Sequence, residues 1–219
     1  MASPDRRAIL KALAAAVAAL ASGRVAARVA SAAESMTSES WSLQTLLAFA
    51  DTLIPGERRF PGDMAVAGAV TGPGAVHAGA GDLFTSPQLP LEPLLPSIAA
   101  LLDARAVAYA AARLIWLPPT RPPFVGLSFT HRTALAQGLY GPEDVDRPVW
   151  QVLSLLVGLT FDTAGQYDTR QAVDQKHPGL AWLGYPQSDA DGLWRFTNFS
   201  YVCPLAALHP GTTPSGSPA

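Results

Sequence analysis

The feature that most constrains the fold is a run of apolar residues from Val149 to Phe161, introduced by Asp146 and Pro148. Aspartate caps helices because its side chain accepts hydrogen bonds from the free N–H groups of the first turn, and proline is favoured in that turn. The run is apolar on nearly every side of a helix, which indicates a buried helix. Its 13 residues fall short of the roughly 20 that cross a bilayer. We therefore expect a core helix, capped by Asp146 and covered by other helices or by a partner protein.

Two further stripes of apolar residues recur at helical spacing. The first stripe consists of Leu43, Leu46, Leu47, Ala50, Leu53 and Ile54, and the second consists of Ile98, Leu101, Leu102, Tyr109, Ala112 and Trp116. Pro55-Gly56 ends the first predicted helix. The second begins near Pro93 or Ser97 and continues to Trp116, because Pro118-Pro119 stops it. These two helices are expected to supply much of the core.

Two shorter helices and several irregular stretches complete the expected fold. The shorter helices cover Thr130 to Gly138 and Asp168 to about Lys176, the latter with a capping-box arrangement. The stretch from Phe60 to Pro96 has no stable period, and the chain contains 20 prolines and 18 glycines. We therefore predict a mostly α fold with four to six helices, long irregular Pro/Gly-rich connections and an aromatic-rich irregular C-terminal segment. The predicted domains are a single helical one over residues 34–211 and a disordered tail over 212–219.

The N-terminus resembles a twin-arginine export leader. It reads Asp5-Arg6-Arg7-Ala8-Ile9-Leu10-Lys11, followed by a weakly hydrophobic, alanine-rich run to Ala21. Arg6, Arg7 and Lys11 are the predicted export signal. An ordinary Sec leader or a basic amphipathic helix is the alternative. Small residues place cleavage after Ala32 or Ala33, so residues 1–33 are the predicted signal peptide, and the rest is periplasmic, in the cell envelope or secreted. The twin-arginine route carries folded proteins, so we expect the chain to fold before export and to touch the membrane only through the leader.

Charge and cysteine content exclude several classes of function. Without the predicted leader the chain keeps 10 basic and 16 acidic residues, which argues against nucleic-acid binding, because that binding relies on Lys and Arg. Cys203 is the only cysteine. It cannot form an internal disulfide or a cysteine-based metal site, and we expect it to be a small buried apolar residue. Hydrophobic residues make up 49% and charged residues 15%, so much of the chain is buried internally or by another protein.

No motif in the sequence assembles an active site. The chain lacks G-x-S-x-G and H-E-x-x-H, and its histidines are His77, His131, His177 and His209, with no pair at ligand spacing. A zinc site assembled from distant residues stays open as an alternative. Asp162, Asp168 and Asp174 are interpreted as helix-capping residues, and Asp189-Ala190-Asp191-Gly192 as a polar turn. We therefore expect no catalytic, cofactor-binding or metal-ligating residues in this chain.

Three stretches resemble one known family. The helix end Asp51-Thr52-Leu53-Ile54-Pro55-Gly56, the twin-arginine leader and the turn Gly184-Tyr185-Pro186 are similar to those of the gluconate 2-dehydrogenase subunit 3 family. These are small subunits of membrane-associated flavin dehydrogenases. The resemblance implies a non-catalytic, gamma-type subunit that binds, co-exports and stabilises a leaderless FAD-dependent oxidoreductase of the glucose–methanol–choline type. The FAD would belong to the partner, and this chain would carry no cofactor.

The aromatic segment from His177 to Cys203 is the predicted docking surface, because it lacks a helical or strand period that would give it a core face. The predicted partner contacts are Trp182, Tyr185, Trp194, Phe196 and Tyr201. The alternative is that these side chains cap the helical core. Two functions of other classes remain: a secreted stand-alone structural or ligand-binding module, and a secreted enzyme of unrecognised type.

Overall fold

The apolar runs of the sequence form helices that pack around a shared core. The computed structural model describes residues 38–87, 89, 91–187, 199–200 and 203–204. In chain order its helices are α1 (Ser38–Leu53), α2 (Ala80–Phe84), α3 (Leu95–Ala112), α4 (Pro123–Gly126), α5 (Phe129–Leu139), α6 (Arg147–Thr163), α7 (Thr169–Asp174) and α8 (Pro178–Trp182). A 3₁₀ turn, Glu92–Leu94, leads directly into α3. The prediction of a mostly helical fold is confirmed for the described residues. Four of these helices are long, and the other four have at most six residues each.

The chain divides into two compact units, Met1–Tyr185 and Pro186–Ala219. The described part of the second unit is a two-residue antiparallel pair, β1 (Phe199–Ser200) with β2 (Cys203–Pro204). The predicted domain boundaries after residues 33 and 211 lie outside the described residues. So do the predicted export residues Arg6, Arg7 and Lys11, whose role stays a prediction.

Helix α1 lies at the centre of the first unit and contacts α2, α3, α4, α5 and α6. Its Phe49 packs against Phe124 of α4 and Trp150 of α6, with ring centroids 6.3 and 6.0 Å apart. All three rings are fully buried, and tilted aromatic pairs of this kind add stability beyond their buried area. The predicted core helix α6 therefore contributes one face to a core centred on α1. Its opposite face is not covered by the described residues, since Leu155 is exposed.

Helix α3 ends earlier than the sequence suggested. We expected it to reach Trp116, but it ends at Ala112. Leu114 adopts a left-handed conformation with φ 55°, and the N–H of Ile115 donates to the carbonyl of Ala110 at 2.9 Å. This closure is the usual way to end a helix, although glycine normally occupies the left-handed position. Because that glycine is absent, no residue before Pro118-Pro119 marks the end of the helix in the sequence.

The predicted cap at Asp146 is only half correct. Asp146 occupies the N-cap position of α6, but its side chain makes no capping hydrogen bond. Instead its carboxylate accepts a hydrogen bond from Arg105 Nη2 at 2.9 Å, and Asp144 binds the same guanidinium. The residue therefore ties α3 to the start of α6 through an ion pair. Asp168, in contrast, caps α7 as expected, since its Oδ1 accepts from the N–H of Gln171 at 3.0 Å.

The end of α1 is fastened to the irregular segment that follows it, in an arrangement we call the α1 clasp (residues 51–56 and 72–75). The N–H of Ala75 donates to the carbonyl of Ile54 at 3.0 Å. Gly56 and Gly74 lie backbone against backbone: a Cβ on Gly74 would be 2.6 Å from the nitrogen of Gly56. Only glycine permits this approach. The stretch predicted to be a long loop is thus locked to the core at its base.

Asp51 and Arg132 form hydrogen bonds with backbone groups of the irregular segments: Asp51 accepts from N–H groups, and Arg132 donates to carbonyls. Asp51 is buried and accepts from the N–H groups of Gly56 at 3.2 Å and Ala67 at 2.8 Å. Burial raises the pKa of Asp51, and these two N–H donors partly offset the rise. The Arg132 guanidinium, also buried, donates to the carbonyls of Leu127, Ala65, Met64 and Val125. The unpaired polar groups that a buried loop would otherwise leave are thereby hydrogen-bonded.

One helix of the described chain, from Glu92 to Ala112, is long and apolar enough by length and composition alone to cross a membrane. Core helices of soluble proteins pass the same test. This helix includes α3, which packs against α1, α4 and α5.

Candidate functional site

The predicted docking residues that the structure describes lie at the end of α8. Trp182 is 63% exposed and Tyr185 is 38% exposed, and Leu183 between them is also exposed. We call these three residues the Trp182 patch. The other predicted contacts, Trp194, Phe196 and Tyr201, lie outside the described residues. Trp182 and Tyr185 are therefore not among the fully buried side chains of the helical core, and their role as partner contacts stays a prediction.

Helix α8 is held rigidly although it has only five residues. His177 precedes it as the N-cap, and its Nδ1 accepts from the N–H of Leu180 at 3.4 Å. Because Nδ1 accepts, Nε2 carries the proton and donates to the carbonyl of Ala78 at 2.8 Å. A Cβ on Gly179 would be 2.2 Å from the carbonyl oxygen of Phe161, so the backbones of α8 and α6 are in direct contact. Both ring nitrogens of His177 are used structurally, and neither is available as a base.

Trp182 is further positioned by two glycines. Its ring rests on Gly72, where a Cβ would be 2.8 Å from the indole, and Gly72 has φ 94°. After the helix, Gly184 takes the left-handed conformation with φ 67°, and the N–H of Tyr185 donates to the carbonyl of Leu180 at 2.9 Å. One side of the indole is thus fixed against the chain while the rest faces outward. A pre-positioned aromatic ring of this kind loses little freedom on binding.

A second exposed apolar surface, which the sequence did not reveal, lies at the C-terminal end of α3. Leu114 is 95% exposed and Trp116 is 75% exposed. We call these residues the α3 end. The sequence interpretation placed Trp116 on the buried stripe of the helix, and this was wrong because the helix ends before Trp116. A large apolar side chain in the left-handed region is strained as well as exposed.

A cavity of about 490 Å³ lies between the segment 76–85 and the segment 167–178. Its polar groups mostly serve the fold: His77 Nδ1 accepts from the N–H of Gly74 at 3.3 Å, and His177 Nε2 donates to the carbonyl of Ala78 at 2.8 Å. Tyr167 donates to the carboxylate of Asp82. Burial, followed by that carboxylate, raises the pKa of Tyr167. These contacts join two parts of the chain and do not place a nucleophile beside a base.

The remaining candidates for chemistry are distributed over the structure. Among the described residues no group of three His, Cys, Asp or Glu side chains could hold a metal ion. Asp162 and Asp174 are exposed. His131 contacts the hydroxyl of Tyr109 at 3.2 Å. His209 and the predicted polar turn from Asp189 to Gly192 lie outside the described residues, as does the side chain of Cys203.

Comparison with known proteins returned one match. Neither the curated proteins nor the solved structures contain a match to this chain. A family model described as a family of unknown function (DUF5987) matches residues 40–219. The matched range holds both exposed apolar surfaces and covers well over half of the sequence. The chain therefore belongs to this family of unknown function, DUF5987.

Proposed function

We propose that this chain is a non-catalytic small subunit that binds, co-exports and stabilises a larger FAD-dependent oxidoreductase of the glucose–methanol–choline type. The observation that carries the proposal is the exposure of two tryptophans, Trp116 and Trp182, in a chain with only 15% charged residues. Buried tryptophans at interfaces are among the residues whose truncation costs most binding energy.

The resemblance to the gluconate 2-dehydrogenase subunit 3 family supplies the identity of the partner. DUF5987 carries no assigned function, so the link to that family rests on the leader, the helix end and the Gly184-Tyr185-Pro186 turn. Physical support comes from the helix end, since Asp51 and Gly56 form the α1 clasp on which the loop beneath Trp182 depends. In this proposal the residues that carry the resemblance hold the docking surface in place, and the FAD stays in the partner.

Export provides the route by which the two proteins stay together. The twin-arginine translocase moves folded cargo, and Arg6, Arg7 and Lys11 are the residues that would engage it. A partner without a leader would cross the membrane only while bound to this chain. Binding before export therefore requires a docking surface that is already formed in the folded subunit, which the rigid α8 would provide.

The test compares Trp182→Ala with Trp116→Ala in a tagged chain co-expressed with a leaderless flavoprotein of the glucose–methanol–choline type from the same organism. The wild-type chain should co-purify flavin absorbance, and Trp182→Ala should reduce it at least about tenfold, since a buried interface tryptophan contributes roughly 2–4 kcal/mol. Trp116→Ala tells whether the α3 end belongs to the same interface. Far-ultraviolet circular dichroism of each variant serves as the control for folding.

Two outcomes would contradict the proposed subunit role or the proposed co-export. A wild-type chain that is a stable monomer, binds no hydrophobic dye and carries no flavin would rule out the subunit role. Replacement of Arg6 and Arg7 by lysine, which keeps the charge, should leave both proteins in the cytoplasm. Export of the flavoprotein in that variant would contradict co-export without affecting the docking proposal.

A further inference from the structure

Three arginines converge on one cleft of the first unit without carboxylate partners in the described residues. The cleft has a volume of about 780 Å³, and Arg58, Arg121 and Arg132 line it. We call it the arginine cleft. The ion pairs of the described chain involve Arg59 and Arg105 instead. This concentration of positive charge contrasts with the net charge of −2 of the whole sequence.

Arg132 supplies positive charge that cannot move away. The residue is 3% exposed, and its guanidinium donates to four backbone carbonyls. Burial lowers the pKa of Arg132 to about 10, with the Asp51 carboxylate opposing the change and the charges of Arg121 and Arg58 adding to it. The charge of Arg132 is thus repelled by the charges of Arg58 and Arg121. An anion placed among them would relieve this repulsion.

Arg121 contributes a donor that has no acceptor. Its Nε is buried and makes no hydrogen bond within the described chain. Pro122 and Pro123 follow directly in the sequence and restrict the backbone that carries this side chain. Buried N–H groups are nearly always paired in folded proteins. The unpaired Nε therefore marks a place where an acceptor atom from outside the chain is expected.

Arg58 completes the cleft from the opposite loop. Its stem lies on Gly68, where a Cβ would be 2.9 Å from Arg58 Cγ, and Gly68 has φ 70°. The glycine leaves the room in which the arginine stem lies. The guanidinium itself belongs to an exposed residue, so it can close over a ligand that enters from solvent.

The one carboxylate that lines the cleft is already neutralised. Asp63 accepts two hydrogen bonds from Arg59, at 2.6 and 3.0 Å, and one from the N–H of Val66 at 3.3 Å. Burial by itself would raise the pKa of Asp63, but the hydrogen bonds from Arg59 outweigh it and hold the pKa below its usual value. Asp63 is therefore ionised and already paired with Arg59, and it does not neutralise Arg58 or Arg121.

We propose that the arginine cleft binds a small organic oxyanion, a carboxylate or a phosphate ester, between Arg58 and Arg121 and above the fixed charge of Arg132. Arginine forms paired, charge-assisted hydrogen bonds to both groups. The start of α5 adds Ser128 and Phe129 to the wall, and a helix start favours negative charge. The other walls include Met64, Val125 and Leu127, which suits a ligand with a partly apolar body. This inference does not depend on the proposed subunit role.

The experiment is isothermal titration calorimetry of the full-length chain with inorganic phosphate and, separately, with citrate, at matched ionic strength. At least one probe should bind saturably with a Kd of about 1 mM or lower. Arg58→Gln and Arg121→Gln should each weaken binding at least about tenfold, or about 1.4 kcal/mol. Arg170→Gln, an exposed arginine of α7 outside the cleft, is the matched control and should bind as the wild type does.

The two probes also distinguish the ligand class: tighter binding of phosphate indicates a phosphate ester, and tighter binding of citrate indicates a carboxylate. Arg132 is left unchanged because it holds the fold, and circular dichroism checks that the two cleft variants stay helical. Absence of saturable binding to both probes would overturn the proposal. So would equal binding by the wild type and the Arg58→Gln, Arg121→Gln double variant.

Discussion

The two central helices, α1 and α3, pack against each other but end in opposite ways. Helix α1 ends in the clasp, where Gly56 and Gly74 are in backbone contact and Asp51 accepts from two N–H groups. Helix α3 ends at a strained Leu114 that is 95% exposed, followed by the exposed Trp116. The first end is buried and hydrogen-bonded, whereas at the second end the side chains of Leu114 and Trp116 face solvent.

The difference separates residues that stabilise the fold from residues that do not. Glycine is found in the clasp because two backbones approach too closely for any Cβ. At the α3 end glycine would be the stable choice, yet leucine is present, and a left-handed leucine costs roughly 1–2 kcal/mol. Strain at an exposed apolar residue is the pattern found at binding surfaces. A partner covering Leu114 and Trp116 would supply the missing contacts.

The largest effect is expected from breaking the clasp with Gly74→Ala. The new Cβ would be 2.6 Å from the nitrogen of Gly56, the carbonyl oxygen of Ile54 and the carbonyl carbon of Pro55. All three are backbone atoms, so the collision should lower the free energy of unfolding by about 2–4 kcal/mol. Urea denaturation measures the change. Gly138→Ala, where nothing lies within 4 Å, should be neutral or stabilising, and equal stability of both variants would disprove the close contact.

A second prediction concerns the middle of α3, where Asp103 joins it to α1 and α4. Asp103 accepts from Thr45 Oγ1 and from the N–H of Phe124, both at 3.0 Å. Burial raises the pKa of Asp103 from 3.8 to about 6, although both hydrogen bonds oppose the rise. Because the folded state holds this proton more tightly than the unfolded state does, Asp103 contributes most to the free energy of unfolding below pH 4. This contribution decreases as the pH rises through 6.

Asp103→Asn should therefore gain stability relative to the wild type as the pH rises from 4 to 7, by about 1–3 kcal/mol. The amide keeps an acceptor for the N–H of Phe124 and carries no charge. Chemical denaturation at several pH values gives the difference between the two proteins. Thr45→Val removes one hydrogen bond to the carboxylate and should move the wild-type transition to higher pH. A difference that does not change with pH would contradict the raised pKa.

The smallest effect, with the opposite sign to the first, is expected at the α3 end. Leu114→Gly should raise the free energy of unfolding by about 0.5–1 kcal/mol, because relief of the left-handed strain exceeds the added freedom of the unfolded chain. Gly184→Ala is the matched reverse change: it has the same conformation with φ 67° and no atom within 4 Å. The Gly184→Ala change should lower the free energy of unfolding by about 1 kcal/mol. Thermal unfolding compares the pair, and destabilisation by Leu114→Gly would show that the leucine packs against something.

The sequence predicted the helices well where caps and apolar stripes agree. It placed α5, α6 and α7 within a few residues of their observed bounds, and aspartate and proline mark the starts of α6 and α7. It failed at Ala112, since the end of α3 depends on one leucine accepting a conformation that sequence rules assign to glycine. The exposure of Trp182 was anticipated from the lack of a period, and that of Trp116 was missed for the reason just given.

What the sequence by itself determined is the mostly helical class, the identity of the core helices and the shortage of charged residues. Those follow from local rules: the spacing of apolar residues, caps and the positions of proline. Only the tertiary structure decided that Gly56 and Gly74 meet, and that Arg58, Arg121 and Arg132 share one cleft. These residues lie far apart in the chain, and no local pattern relates them. The hydrogen bonds from Asp51 and Arg132 to buried backbone groups fix the positions of the irregular segments. Those positions determine which charged side chains become neighbours.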